Sequence, residues 1–301
     1  MDLYAGFDLG GTQLKYGLLD AEGRLVAKDK APTPPTIGGL MELIGRLWRG
    51  LKATVPGSIR AAGFGFPGIY NLRDRKILQS PNYAELDEFA LYPGIGRVID
   101  VPFLVDNDAN MAAYGEWAFG AGRGVSSLVL LTVGTGIGGG LILDGKLWQG
   151  SCGYAGEIGH IVVNADGERC KCGIQGCLEA EAAAPAIIRK YGALSGRTAP
   201  VTAEEIYRRA EAGDPAAIAA YASAGRFLGI GLGMLINLLN PGMILLGGGV
   251  MTSGELLLRP AVEEARRRSY KASFACCPIE RASLGNDAGT IGAAAWAKNN
   301  L

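Results

Sequence analysis

The segment from Gly153 to Glu179 reads GYAGEIGH at 153–160 and CKCGIQGCLE at 170–179. His160 is the only histidine among the 301 residues, and three cysteines follow it at Cys170, Cys172 and Cys177. Zinc prefers thiolate and imidazole ligands, and three cysteines with one histidine complete a tetrahedral structural site. The pattern therefore predicts that these four residues bind one structural zinc ion.

An alternative for these cysteines is ordinary packing, because a cysteine outside a disulfide behaves as a small hydrophobic residue. Their charged neighbours Glu168, Arg169 and Lys171 argue against it, since they indicate a polar loop. A disulfide is also disfavoured, because clustered cysteines in a chain with no signal peptide indicate metal binding or catalysis. The other three cysteines, at 152, 276 and 277, are interpreted as packing residues.

The composition is that of a globular protein of about two domains. Hydrophobic residues make up 49% of the chain, and 29 basic residues balance 29 acidic ones, so no basic surface for nucleic acid is indicated. The N-terminal residues show no basic segment followed by an apolar core, so we expect no secretion signal and a cytoplasmic protein. The apolar run 227–239 is too short and too rich in glycine to span a bilayer.

A glycine turn follows the first apolar run. Residues 3–8 and 15–19 are predicted strands, and Leu9-Gly-Gly-Thr12 is the hairpin turn between them. Glycines in such a turn let backbone N–H groups face phosphate oxygens. Asp8 at the rim of the turn is a suitable ligand for Mg²⁺, directly or through water. A tight hairpin without a ligand has the same pattern, so these residues alone do not decide between the two.

An acidic cluster follows a second strand. Residues 101–105 are predicted to be a strand, and Asp-Asn-Asp-Ala-Asn at 106–110 leads into a helix that ends near 119. Asn and Asp are preferred helix caps, so capping explains part of the pattern. The run holds more carboxylates and amides than one cap requires. A carboxylate at the end of a strand also suits a general base, so we favour a catalytic role.

Two further glycine turns follow buried strands. The strand 128–133 leads into GTGIGGG at 134–140, and a further strand ends at 143, which repeats the pattern of residues 3–19. Such a repeat is expected of a duplicated nucleotide-binding fold. The strand 243–246 leads into Gly247-Gly-Gly249, which suits the approach of a ligand to the backbone but also an ordinary strand-to-helix turn. Helices are predicted over 36–54, 179–191, 202–211, 214–239, 254–269 and 287–297, and residues 69–97 are predicted to be irregular.

These motifs resemble those of the ROK family of sugar kinases and sugar-responsive repressors, and the resemblance covers essentially the whole chain. The most specific part is G-x-x-G-E-I-G-H followed by C-x-C-G-x-x-G-C-L-E. The resemblance implies an α/β protein with the two-lobed, actin-like or hexokinase-like ATPase fold. In that fold duplicated ribonuclease H-like domains clamp ATP across a cleft, here with an inserted zinc-binding loop. The expected lobes are residues 1–118, joined by the C-terminal helix 287–301, and residues 119–286, which carry the zinc loop.

The resemblance also implies roles for the motif residues. The first phosphate turn contains Asp8, Gly10, Gly11, Thr12 and Lys15, and the second contains Gly134, Thr135 and Gly136. Adenosine contacts are implied for Gly248 and Gly249. The sugar-binding residues are Asn82, Asn107, Asp108, Glu157, His160 and Glu179, and the zinc ligands are His160, Cys170, Cys172 and Cys177. His160 would bind zinc with one ring nitrogen and face a sugar hydroxyl with the other.

The implied activity is an ATP-dependent hexose kinase in which Asp108 is the general base for a sugar hydroxyl that attacks the γ-phosphorus. Glucose is the expected substrate, with N-acetylglucosamine, fructose, mannose and allose as alternatives. The implied cofactors are ATP, Mg²⁺ and structural Zn²⁺. The expected partners are hexose and ATP, with no nucleic acid or membrane, and the expected assembly is a homodimer.

A sugar-sensing repressor is the competing class, because the family includes repressors with an additional N-terminal DNA-binding domain. Since the first phosphate turn already begins at Asp8 and the net charge is zero, we expect no such domain. A sugar-binding protein without catalysis would require a damaged phosphate turn or base. Neither is found in this sequence, which favours the kinase.

Overall fold

The computed structural model describes residues 1–80, 83–197 and 199–301, which divide into two compact units. The first unit contains residues 1–124, 140–156 and 283–301, and the second contains residues 125–139 and 157–282. Within the described residues the strands form two five-stranded sheets and one separate two-stranded hairpin. Mixed sheets covered by helices confirm the α/β class.

The first sheet has the strand order β3-β2-β1-β4-β7. Its strands are β1 (Asp2–Leu9), β2 (Gln13–Asp20), β3 (Leu25–Pro32), β4 (Ser58–Phe66) and β7 (Phe103–Asn107). The first three strands pair antiparallel, whereas β1, β4 and β7 are parallel. The carboxyl ends of these three parallel strands therefore lie at one edge of the sheet, where open α/β sheets bind ligands.

The described residues of the first unit form four α-helices: α1 (Ile37–Thr54), α2 (Leu91–Ile95), α3 (Asp108–Phe119) and α10 (Ala288–Asn300). Helix α1 begins where Thr36 Oγ1 accepts a hydrogen bond from Gly39 N at 3.3 Å. It buries one face, which carries Leu40, Leu43, Ile44, Trp48 and Leu51. Apolar residues at this spacing form a single stripe that packs on the core, as the sequence predicted.

Helix α10 lies close to the first sheet because glycines face it. A Cβ at Gly63 in β4 would lie 1.8 Å from Ala293 O, and one at Gly6 in β1 would lie 2.0 Å from Thr290 O. Any side chain at these two positions would therefore displace the helix. The C-terminal helix is thus built into the core of the first unit.

The second sheet has the order β10-β9-β8-β11-β12, from the strands β8 (Leu128–Val133), β9 (Ile137–Leu143), β10 (Lys146–Leu147), β11 (Met243–Gly247) and β12 (Ile279–Arg281). Strand β11 is parallel to both β8 and β12. Counted along the chain, this order is the same as in the first sheet. The repeat predicted from the two glycine turns is therefore present in the strand topology.

The helices of the second unit are α4 (Leu178–Ala182), α5 (Ala184–Ser195), α6 (Ala203–Glu211), α7 (Pro215–Leu239), α8 (Glu255–Arg268) and α9 (Lys271–Ala275). Helix α7 starts at Asp214, whose carboxylate accepts hydrogen bonds from Ala216 N and Ala217 N. Among the described residues α7 alone has the length and hydropathy that a membrane span requires. Of its most apolar window, 56% is buried within the protein, as in the core helix of many globular domains.

The structure differs from three of the sequence predictions. Residues 69–97 are not wholly irregular, because they contain the hairpin β5 (Ile69–Asn71) and β6 (Lys76–Gln79) as well as α2. The predicted helix 179–191 is broken at Ala183, since Pro185 lacks an N–H and in a continuous helix its ring would clash with the carbonyl of Glu181. Cys276 is exposed, so its interpretation as a packing residue is wrong, and only the adjacent Cys277 points inward.

Candidate active site and metal centre

The acidic cluster forms a tight turn at the carboxyl end of β7. Asn107 is the N-cap of α3, and its Oδ1 accepts hydrogen bonds from Ala109 N at 2.8 Å and Asn110 N at 3.1 Å. Its Nδ2 donates to Gly68 O at 2.9 Å. Asn107 therefore does cap the helix, and its side chain also fixes the turn against the segment after β4.

Asp108 is the first residue of α3 and is partly exposed. Its Oδ1 accepts a hydrogen bond from Ala109 N at 2.9 Å. The N-terminal end of a helix stabilises a carboxylate, because the unpaired N–H groups there carry partial positive charge. Asp108 thus lies beside Asn107 at the N-terminal end of α3.

The first glycine turn lies at the same edge of the first sheet. Asp8 and Asp106 both pair with Gly65 of β4, which places them in one row, two strands apart. With strands about 4.8 Å apart, this row spans about 10 Å. The first glycine turn and the acidic turn are therefore neighbours at the end of one sheet.

Asp8 carries the charge of the first turn and makes an ion pair with Lys15, whose Nζ lies 3.2 Å from Oδ2. Burial raises the pKa of Asp8, and the Lys15 ammonium partly opposes that shift. Helix α10 approaches so closely that a Cβ at Gly289 would lie 2.6 Å from the Asp8 carboxyl carbon. A carboxylate that is largely but not fully enclosed gains from a nearby cation, so its chemistry fits a magnesium ligand.

The backbone of the first turn is held from two sides. Gly10 N donates to Gln13 O at 2.8 Å, and Thr33 Oγ1 donates to Gly10 O at 2.7 Å. Gly11 and Thr12 at the tip are exposed. The structure therefore leaves the tip of the turn accessible, as a phosphate-binding turn requires.

The second glycine turn is a hairpin between β8 and β9, closed by Gly134 N donating to Gly136 O at 2.8 Å. Ala184 N donates to Gly134 O at 2.9 Å, which the break between α4 and α5 makes possible. Ile137 N donates to Glu179 Oε2 at 3.0 Å. Thr135 at the tip is exposed, so this turn matches the first in construction.

Two glycines of the third turn, Gly248 and Gly249, differ in how closely other atoms approach them. Gly248 has a φ of 90°, and a Cβ there would lie 2.4 Å from Val133 O, so packing on β8 already requires glycine. A Cβ at Gly249 would meet no atom within 4 Å. The predicted adenosine contact of both residues stays a prediction.

The four predicted zinc ligands converge. Their donor atoms all lie within 4.8 Å of one another, with Cys170 Sγ 3.7 Å from His160 Nδ1 and Cys172 Sγ 3.6 Å from Cys177 Sγ. Zinc–sulfur bonds of about 2.3 Å in a tetrahedron separate the donors by about 3.8 Å. The arrangement therefore fits a tetrahedral zinc ion.

The loop that carries these ligands is ordered by its own backbone. Cys170 N donates to Ile174 O at 2.8 Å, and Leu178 N donates to Ile161 O at 2.9 Å. Burial raises the pKa of Cys177 to about 12. Binding of a metal at neutral pH therefore requires release of the Cys177 proton.

The histidine ring lies between the cysteine cluster and a carboxylate. Its Nδ1 faces Cys170, whereas Nε2 lies 3.9 Å from Glu157 Oε2. Burial raises the pKa of Glu157, His160 opposes that shift, and the charge of Glu179 adds to it. The structure thus brings His160, Glu157 and Glu179 together.

Glu179 joins the metal loop to the second glycine turn. Its Oε2 accepts a hydrogen bond from Ile137 N, and its Oε1 lies 3.8 Å from Cys170 Sγ. The predicted sugar-binding residue therefore also supports the turn at 134–136. Sequence reasoning missed this second contact, because Glu179 and Ile137 are 42 residues apart in the chain.

Two other supporting residues were not predicted from the sequence. Asp106 was noted only as part of the acidic run, and Gln149, which donates to its carboxylate, was not singled out. The position of Asp106 at the end of a buried strand was an available signal. No feature of the sequence singled out Gln149. The predicted sugar ligand Asn82 lies outside the described residues.

A family model of known proteins matches this sequence. The model described as the ROK family matches residues 4–300. The chain belongs to the ROK family. The motifs that carried the resemblance, from the first glycine turn to the cysteine loop, all lie within this match.

Relatives that are named as kinases of different sugars are similar to this chain in sequence. The chain is 35% identical to the glucokinase of Streptomyces coelicolor over 99% of this chain and 98% of that protein. It is 33% identical to an N-acetylmannosamine kinase of Haemophilus influenzae, over 98% and 95% of the two chains. Both relatives are matched over nearly their full length.

Solved structures of ROK kinases have the same fold. A ROK hexokinase from Thermus thermophilus is similar with a TM-score of 0.90 and 35% identity, over 99% of this chain and 98% of that one. A ROK glucokinase from Streptomyces griseus, solved in complex with glucose and AMPPNP, has a TM-score of 0.84 and 34% identity, over 99% and 100%. The fold is therefore that of the ROK sugar kinases.

Proposed function

We propose that the protein is an ATP-dependent hexose kinase that converts glucose to glucose 6-phosphate. The observation that carries the proposal is the placement of the Asn107–Asp108 turn and the Asp8 turn at one edge of the first sheet, two strands apart. A base and a phosphate-binding turn are the two parts that phosphoryl transfer to a hydroxyl requires. Similarity to glucokinases over the full chain supports glucose as the acceptor.

In the proposed reaction Asp108 accepts the proton of a sugar hydroxyl. The hydroxyl oxygen then forms a bond to the γ-phosphorus of ATP, the bond to the bridging oxygen breaks, and ADP leaves. A general base of this kind contributes about 10²–10⁴-fold to the rate. Asn107 holds the turn through both ends of its amide, so the base has a fixed orientation.

Phosphate binding is assigned to the two glycine turns. Asp8 and Lys15 support Gly10, Gly11 and Thr12 in the first turn, and Glu179 supports the second turn at 134–136. Asp8 is the residue that would hold Mg²⁺, which offsets phosphate charge when bound. The Lys15 ammonium adds a positive charge that this chain itself provides.

Sugar binding is assigned to the remaining polar groups. Glu157, His160 and Glu179 lie together, and Asn107 and Asp108 share one turn, while Asn82 is assigned by its motif alone. Such groups form hydrogen bonds to ring hydroxyls, and an analogue that lacks a hydroxyl leaves them unpaired. Zinc at His160 and the three cysteines would be structural, because four protein ligands leave no open position.

An N-acetylmannosamine kinase is the second candidate, because a relative with that name is 33% identical over nearly the whole chain. An assay of ADP release with a panel of hexoses and N-acetylhexosamines distinguishes the two. We expect the highest kcat/KM with glucose. A higher kcat/KM with N-acetylmannosamine would replace glucose as the substrate, and no ADP release with any sugar would contradict the kinase.

A further inference from the structure

Asp106 is the most enclosed carboxylate of the acidic turn, since only 2% of its surface is exposed. Its Oδ1 accepts hydrogen bonds from Asn107 N at 2.7 Å and Asn110 Nδ2 at 2.9 Å, and its Oδ2 accepts one from Gln149 Nε2. These three donors are neutral. A buried carboxylate held only by neutral donors depends on every one of them.

The position of Asp106 connects it to the proposed base. It is the residue before Asn107, and its bond to Asn110 joins the end of β7 to the first turn of α3. Asp108 lies between these two attachment points. A rotation of the Asp106 carboxylate would therefore shift the turn that carries Asp108.

Gln149 reaches Asp106 from a different part of the first unit. It lies in a loop after β10, where its own carbonyl oxygen accepts from Ala155 N at 3.1 Å. The same loop is fixed further along, because Cys152 O accepts from Leu72 N at 3.1 Å. The Gln149 amide is therefore presented by a loop that is closed on itself and tied to the residue after Asn71.

We propose that Gln149 and Asp106 form a positioning pair that sets the orientation of the Asn107–Asp108 turn. The inference rests on the proposed function, because it concerns the residue assigned as the base. Gln149 does not touch the reacting atoms in this role. It acts through Asp106, and it constrains the turn from outside the strand and helix that form it.

The first test is Gln149→Glu, which keeps the side-chain length and places a second carboxylate against Asp106. Two carboxylates in contact repel each other, so the turn should shift. We expect kcat/KM for glucose to fall by at least about tenfold, while KM for ATP changes less than about threefold. The thermal midpoint is measured alongside, because a purely structural role would lower stability without this kinetic difference.

The second test changes Asp106 to asparagine, first alone and then together with Gln149→Glu. In Asp106→Asn the oxygen of the new side-chain amide can still accept hydrogen bonds from Asn107 and Asn110. The NH₂ group of the new amide can donate to the Gln149 oxygen, once the Gln149 amide has rotated. We expect kcat/KM within about threefold of the wild type. In the double variant Asp106→Asn/Gln149→Glu a donor again faces an acceptor, so we expect most of the activity lost in Gln149→Glu to return.

The matched control is Gln79→Glu, which makes the same charge change at an exposed position of β6. We expect it to behave as the wild type. Full activity of Gln149→Glu, or a double variant no better than Gln149→Glu, would overturn the pair. Glucose affinity by calorimetry is measured in every variant. A wild-type protein without kinase activity overturns the proposed function. In that case, a loss of glucose affinity in Gln149→Glu alone would still support the pair.

Discussion

Asp106 lies at the end of β7 as a buried carboxylate without a cationic partner among its hydrogen-bond donors. Burial raises its pKa to about 6, although the hydrogen bonds from Asn110, Asn107 and Gln149 oppose the shift. The charged form is therefore less stable in the folded protein than in the unfolded chain. The Asp106 carboxylate therefore lowers the stability of the folded protein at neutral pH.

The pH dependence of stability follows from this shift. The pKa of Asp106 in the folded protein lies above the ordinary value of 3.8. Its favourable contribution to the free energy of unfolding is therefore complete below pH about 4 and is lost as the pH rises through about 6. Asp106→Asn removes the titration. We expect the variant to gain up to about 3 kcal/mol relative to the wild type above pH 7, and nothing from this source at pH 4. Urea unfolding of both proteins between pH 4 and 8 measures the difference, and a difference independent of pH would contradict it.

His160 illustrates how one residue serves two environments. Its Nδ1 faces the cysteine sulfurs and its Nε2 faces Glu157. The sequence predicted that the ring would bind zinc with one nitrogen, because it is the only histidine near three cysteines. Which nitrogen does so depends on the path of the loop, and spacing alone does not determine that.

At the scale of elements, we expect the loop from 161 to 177 to need a bound metal, besides its backbone hydrogen bonds, to keep its shape. Its charged residues are exposed and none of its aliphatic side chains is fully buried, so we expect a metal to take the place of a hydrophobic core there. The loop leads directly into α4, which begins at Leu178 and carries Glu179. Loss of the metal should therefore displace the carboxylates that face the sugar in the proposed function.

We predict about one zinc ion per chain by metal analysis of the purified protein. Cys172→Ala should lose the zinc and weaken glucose binding by at least about tenfold, because Glu157 and Glu179 move with the loop. ATP binding should weaken less, because the first glycine turn at Asp8 belongs to the first unit and the loop belongs to the second. Calorimetry with each ligand measures this, and the unrelated exposed Cys276→Ala is the control. An active protein without zinc, or a larger loss of ATP binding than of glucose binding, would contradict the role of the loop.

The contact of α10 with the first sheet gives a prediction for a second element. A methyl group at Gly63 would overlap Ala293 O, so Gly63→Ala must displace the helix and should lower the free energy of unfolding by about 3 kcal/mol or more. Gly50→Ala in α1 is the matched control, because a Cβ there meets no atom within 4 Å. It should stabilise the protein by about 0.5–1 kcal/mol. Chemical unfolding measures both variants, and equal stabilities would contradict the packing argument.

At the scale of the whole molecule, the sequence predicted the repeated strand–turn–strand pattern, and both sheets have the same strand order. These features are local, because a buried strand followed by glycines is visible within about 15 residues. Contacts between distant segments were not predictable. Gln149 meets Asp106 across 43 residues, and Glu179 meets Ile137 across 42. The hairpin at 69–79 was missed because its strands are only three and four residues long.

The central claim is that Asp108 deprotonates glucose during transfer of the γ-phosphate, and the most direct test compares Asp108→Asn with the wild type. Turnover is followed by detection of glucose 6-phosphate, and glucose binding by calorimetry, with Asp29→Asn at an exposed position of β3 as the control. We predict that Asp108→Asn binds glucose within about tenfold of the wild type but turns over at least about a hundredfold more slowly. Turnover near that of the wild type would contradict the account.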